Sequence, residues 1–184
     1  MKRSALAVLL CLALTGCNGG LFSDGQKGFV SGNGEVRIVP ASEREAPEPI
    51  TGTTLDGEHV SLADLRGDIV VMPVWGSWCG PCRSEAPMFE AASKDLAEQG
   101  VTFLGINVRD EGEDNVKAFV RTTGITYPSL VDPSGELLLR FHAGMTPNVI
   151  PSVAFIDSDG RVAAAVLGEI TRTTLYDVVE EIRR

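Results

Sequence analysis

The chain is poor in soft metal ligands. It has four cysteines and two histidines among 184 residues. The histidines, His59 and His142, lie in unrelated segments, and structural zinc takes four ligands, commonly from two close pairs. Net positive charge is also missing. Sixteen Lys and Arg against 25 Asp and Glu leave −9, a balance that phosphates repel and that argues against nucleic acid. No long apolar run is present: Ala5 to Leu14 is too short to span a bilayer. There is no internal repeat. What remains is ordinary for a globular protein, 43% hydrophobic and 22% charged. The length suits one domain plus appendages, with a core that needs no disulfide staples.

The N-terminus reads as a secretory signal: basic Lys2 and Arg3, the short apolar run, then Leu14-Thr15-Gly16-Cys17. That tetrapeptide resembles the bacterial lipobox. The resemblance implies cleavage before Cys17, a lipid on its thiol, and a membrane held by acyl chains rather than by charge. Residues 1–16 are then the signal and 17–49 a lipidated cysteine and flexible linker, rich in Gly, Ser, Glu and Pro. Within the linker Glu35 to Val39 has the pattern of a short strand. Residues 50–184 form the folded domain. Cys11 leaves with the signal, so Cys79 and Cys82 become the free thiol pair.

In the domain, Thr53 to Val60 reads as a hairpin turning at Asp56-Gly57, followed by one helical turn at Ser61–Leu65. Ile69–Trp75 is an apolar, β-branched run, as a buried strand requires. Cys79–Glu98 carries a helical apolar face through Met88, Phe89, Ala92 and Leu96, and Gly100 stops it. Val101–Val108 reads as a second buried strand, Asp114–Arg121 as a helix, Ser129–Val131 as a short strand and Glu136–Phe141 as a short helix. Ser152–Ile156 and Val162–Leu167 flank the turn Asp157-Ser158-Asp159-Gly160, and a helix closes the chain from Thr173. Strands alternating with helices imply a three-layer α/β fold around a mixed sheet.

Cys79 and Cys82 lie three apart at a helix start, within disulfide range. With Cys79 at the first helical position, unpaired N–H groups and the helix dipole favour its thiolate and make it the nucleophile. Cys82, one turn deeper and more shielded, resolves the mixed disulfide. Gly80 lets a substrate backbone approach, and Pro81 fixes the first turn without needing an N–H. A purely structural bridge across so small a loop constrains the unfolded chain little. A copper chaperone binding through the dithiol is the other non-catalytic alternative, but no Met or His stands beside the pair.

Trp78-Cys79-Gly80-Pro81-Cys82, set between a buried strand and a helix, resembles the thioredoxin active-site motif. The hairpin, Leu62-Ala63-Asp64-Leu65-Arg66-Gly67 and the extra helix near Asp114–Arg121 resemble the TlpA/ResA-type, membrane-tethered branch. The resemblance covers about Ile50 to Arg184. It implies an extracytoplasmic thiol-disulfide oxidoreductase with no cofactor beyond the Cys79–Cys82 disulfide. Exported proteins with disulfides would be its substrates, often in cytochrome c maturation, and a membrane dithiol carrier its electron donor. Pro151 matches the cis-proline that faces the dithiol, with Ile150 offering backbone groups to substrate. Pro87 matches the proline that kinks the active-site helix. Trp78 would shape the substrate surface. Glu85, three after Cys82 on the same helical side, matches the acid that moves protons for this branch. Pro73 stands where thioredoxins carry a buried Asp, which shifts that task to Glu85 and suggests a bulge at Met72–Pro73. A thiol peroxidase, from a neighbouring family, is the enzymatic alternative. It expects Ser or Thr three before the attacking Cys, whereas Ser77 is two before Cys79.

Overall fold

The computed structural model describes residues 28–29, 34–141 and 144–184. The signal segment, Cys11, Cys17 and His142 lie outside them. Strands β1 (Gly28–Phe29) and β2 (Glu35–Ile38) precede a small hairpin, β3 (Thr51–Thr53) and β4 (His59–Ser61). Then come β5 (Ile69–Trp75), helix α1 (Gly80–Leu96), β6 (Val101–Phe103), β7 (Gly105–Val108), α2 (Glu113–Thr123) and β8 (Ser129–Asp132). The antiparallel pair β9 (Ser152–Ile156) and β10 (Val162–Leu167) leads into α3 (Arg172–Arg183). The main sheet runs β1-β2-β10-β9-β5-β7-β8, with β6 also pairing β5. Pairs of β5 with β6 and β7, and of β7 with β8, are parallel, and the rest are antiparallel.

Every residue of β5 is buried, and its side chains alternate between two cores. Val71 joins Phe89, Ala92 and Leu96 of α1 and Leu175, Val178 and Val179 of α3. Val70, Met72 and Val74 join Leu62, Leu137, Leu138 and Phe141, from two 3₁₀ turns and a loop. The expected three layers are therefore helices, sheet, and a layer of turns and loop. The 136–140 segment is 3₁₀. Asp56-Gly57 turns the hairpin with Gly57 at φ 84°, and the hairpin's Leu55 N–H donates to Ser129 O, which part-covers the edge strand β8.

Three expectations change. The folded region begins before Ile50. Strand β2 pairs with β10 along Glu35–Ile38, Val162 N–H donates to Glu45 O and Glu48 N–H to Arg140 O. Alternation in Glu-Val-Arg-Ile buries Val36, enough to seat a segment whose composition reads as linker. Second, no bulge interrupts Met72–Pro73: Met72, Pro73 and Val74 face Ala154, Val153 and Ser152 in unbroken register. Third, the run 101–108 is split at Leu104. One cause accounts for both. Leu104 N–H donates to Val71 O, so in a parallel ladder the next bond would run from the N–H of residue 73 to Leu104 O. Proline has no such donor, and the partner strand breaks opposite it.

Candidate active site

The C-terminal end of β5 delivers Gly76-Ser77-Trp78 to the start of α1. A Cβ at Gly76 would collide with the Trp78 indole, so glycine lets that ring fold back and donate from Nε1 to Val108 O at 3.3 Å. The same β7–α2 connection grips Ser77. Asp110 accepts the Ser77 N–H at 2.9 Å and the Ser77 hydroxyl, and is itself held by Asn107 Nδ2 at 2.6 Å. Arg109, at φ 52°, stacks its guanidinium 4.6 Å from the Trp78 ring. Arg83 donates to Ser77 O and Thr122 Oγ1 and lies over Phe119, tying α1 to α2. Asp110, Arg109 and Arg83 belong to no motif, and no local pattern marks them.

Cys79 and Cys82 form a disulfide with Cα atoms 5.3 Å apart. Cys79 is the N-cap of α1 rather than its first helical residue: its Sγ accepts the Cys82 N–H at 3.1 Å, and its carbonyl accepts from Arg83 N–H. A capping side chain satisfies one of the orphan donors of the first turn, so the sulfur stands where partial positive charge is greatest. Exposure does not rank the pair, at 4% for Cys79 and 3% for Cys82. The cap does, since an N–H pointed at Cys79 favours its thiolate. Gly80 and Pro81 are exposed at the helix start and Trp78 is 49% exposed. Pro87 lies inside α1.

Around the dithiol, Trp75, Ala86, Val116, Phe119 and Ile125 form a small cluster, with Ile150 packed against it. Trp75 stacks on Phe119 at 4.5 Å and is core. The Ile150–Pro151 bond is cis and Pro151 is buried; of the two, Ile150 packs against the cluster that holds both cysteines.

Glu85 is 7% exposed, and its Oε1 accepts the Ile170 N–H at 2.6 Å. Burial pushes its carboxyl up to about 7, against that hydrogen bond and with help from the nearby charge of Glu169. Glu85 and Cys82 line one small cavity with Pro73, Phe119 and Tyr127. Tyr127 belongs to no motif. Its only sequence cue is a tyrosine before Pro128, at the edge of a strand. Among the described residues no group of three or more His, Cys, Asp and Glu could hold a metal ion, and no helix is long and apolar enough to cross a membrane.

A family model described as AhpC/TSA matches residues 43–165. The thiol-disulfide oxidoreductase ResA of Bacillus cereus is 30% identical over 99% of both chains. Two solved structures are similar: a DsbF homologue from Corynebacterium diphtheriae (34% identity, TM-score 0.74, 85% of this chain and 98% of that one) and a secreted thiol-disulfide isomerase from Corynebacterium glutamicum (32%, 0.74, 80% and 90%).

Proposed function

The chain belongs to the AhpC/TSA family and is a thiol-disulfide oxidoreductase; from that premise we propose that it works as a reductant of disulfides in exported proteins, those of cytochrome c maturation among them. The observation that carries this reading is the capped Cys79 sulfur bonded to Cys82, with a buried acid beside it. Reduced Cys79 attacks one sulfur of a substrate disulfide as thiolate, and the other leaves as a thiolate that takes a proton from water. Glu85 carboxylate takes the proton of Cys82. The Cys82 thiolate then attacks Cys79 Sγ, the intramolecular disulfide forms, and the second substrate thiolate departs. Two electrons pass from the dithiol to the substrate. Ile150 offers backbone groups to the substrate chain, Gly80 and Pro81 leave room for it, and Trp78 borders its path. A membrane dithiol carrier restores the reduced pair, and a lipid on Cys17 keeps the enzyme at the outer side of the cell membrane.

The test is to replace Cys82 by Ser and identify by mass spectrometry what stays linked to Cys79; exported cysteine proteins are the expected catch. A reduction potential near −270 mV, the thioredoxin value, fits the reducing direction, whereas one near −120 mV, that of a strong oxidant, ends it. A peroxidase reading lacks its hydroxyl, because Gly76 stands three before Cys79 and Ser77 is bound to Asp110.

A further inference from the structure

The reaction above leaves a proton on a buried carboxyl. The space that Glu85 shares with Cys82 is about 10 Å³, room for about one water. Between the hairpin turn and α2 lies a groove of about 870 Å³, walled by Asp56, Glu111, Glu113, Val116 and Lys117 among others. Among the described residues one alone lines both spaces: Tyr127.

Tyr127 is held in that wall from both sides. The preceding residue clasps α1, with Thr126 N–H and Oγ1 bonded to Glu90 at 2.7 and 2.8 Å. Pro128 fixes the backbone behind it, and the ring leans on Phe103 at 5.9 Å. Burial, with the carboxylates of Glu90 and Glu85 close by, keeps the phenol protonated. A phenol hydroxyl is able both to accept and to donate a hydrogen bond.

We infer that Tyr127 is the proton gate between the Cys82–Glu85 space and the groove: its ring holds bulk water away from Glu85, and its hydroxyl carries the proton out. This inference rests on the roles given above to Cys82 and Glu85. The step balances as an exchange. Glu85 gives its proton to the phenol oxygen while the phenol gives its own to water in the groove, so Tyr127 ends as it began. The other ionisable groups about this path are Glu169, Glu90 with its partner Lys94, and, along the groove, Asp56, Asp110, Glu111, Glu113, Lys117 and Arg121.

The experiment uses the reduced protein and dithionitrobenzoate, which releases one coloured thiolate when Cys79 attacks and a second when Cys82 resolves. Tyr127→Phe keeps the wall and removes the hydroxyl. It is expected to leave the first release unchanged and slow the second on the order of tenfold, because a proton retained on Glu85 returns to Cys82 before its sulfur attacks; the loss is less than the 10²–10⁴ of direct general acid–base catalysis since cavity water offers a slower route. Added imidazole should restore the rate. Tyr127→Ala opens the wall, so the second release stays fast while its pH midpoint moves from about 7 toward the ordinary 4.5 of a glutamate. Wild-type rates in Tyr127→Phe at every buffer concentration, or an unmoved midpoint in Tyr127→Ala, overturn the gate. Failure of the underlying reading looks different: Glu85→Gln would keep the wild-type pH profile of the second release.

Discussion

Helix α1 carries two glutamates five residues apart, Glu85 and Glu90, each 7% exposed. Burial raises both. Glu90 is surrounded by donors: Lys94 Nζ at 2.7 Å, Thr126 N–H and the Thr126 hydroxyl. Together they outweigh burial, and its pKa falls below the usual value. Among the described residues Glu85 has one donor, Ile170 N–H, and its pKa rises to about 7. The same residue type on the same helix is a hydrogen-bonded clamp in one place and a carboxyl that titrates near neutrality in the other. Glu85 is the more deeply desolvated and has the fewer donors, and both differences push the two carboxyls apart.

The largest expected effect is on stability. Between pH 4.5 and about 7 the folded chain holds a proton on Glu85 that the unfolded chain has released. Raising pH through this window therefore costs stability, about 3 kcal/mol at roughly 1.4 kcal/mol per unit of pKa difference. Glu85→Gln should remove that loss. Urea midpoints of the oxidised protein at pH 5 and pH 8 measure it, and an unchanged slope in the variant would mean that Glu85 is not the group responsible.

Next is the reaction. At pH 8 Glu85→Gln should slow the second thiolate release about 10²-fold, the lower range for a positioned base, and flatten its rise through pH 7. Glu90→Gln should slow it less than about twofold, since that group is committed to Thr126 and Lys94. Equal effects would abolish the contrast between the two glutamates.

Third, Glu90→Gln should cost about 2 kcal/mol at pH 7, where it loses charge-assisted hydrogen bonds. The pH dependence is opposite in sign to that of Glu85. With a lowered folded pKa, the Glu90 contribution is present above the unfolded pKa and disappears as pH falls through the folded one. The gap between wild type and variant should therefore close in acid. Lys94, whose side chain is 67% exposed, should account for less than about 1 kcal/mol by itself.

The two glutamates also show what a sequence can carry. Local chemistry was legible: β-branched residues gave β5, Asp56-Gly57 the hairpin, Gly100 the helix end, and the spacing from Cys82 put Glu85 on the dithiol side. Long-range satisfaction was not. Ile170 N–H reaches Glu85 across 85 positions and Thr126 reaches Glu90 across 36, and no pattern near either glutamate announces them. The break at Leu104 depends on Pro73 in another strand, and residues 34–49 join the domain through bonds to β10 and to Arg140. Tyr127 and Asp110 lie on connections that only the folded sheet brings to α1.

Ser152 extends the comparison to a polar group with no hydrogen-bond partner among the described residues. It follows Pro151, is 1% exposed, and its hydroxyl makes no hydrogen bond among the described residues. It faces Val74 across β5 and Leu167 across β10. A buried hydroxyl without a partner gains nothing from its depth and carries a desolvation penalty. Ser152→Ala should then leave stability unchanged or raise it by up to about 1 kcal/mol, equally at pH 5 and pH 8 because nothing titrates. Both thiolate releases should keep their wild-type rates. Urea unfolding of the oxidised variant is the measurement. A loss of more than about 1 kcal/mol would mean that the hydroxyl is satisfied in solution, and the partners seen within the chain would then not be the whole account of this buried polar group.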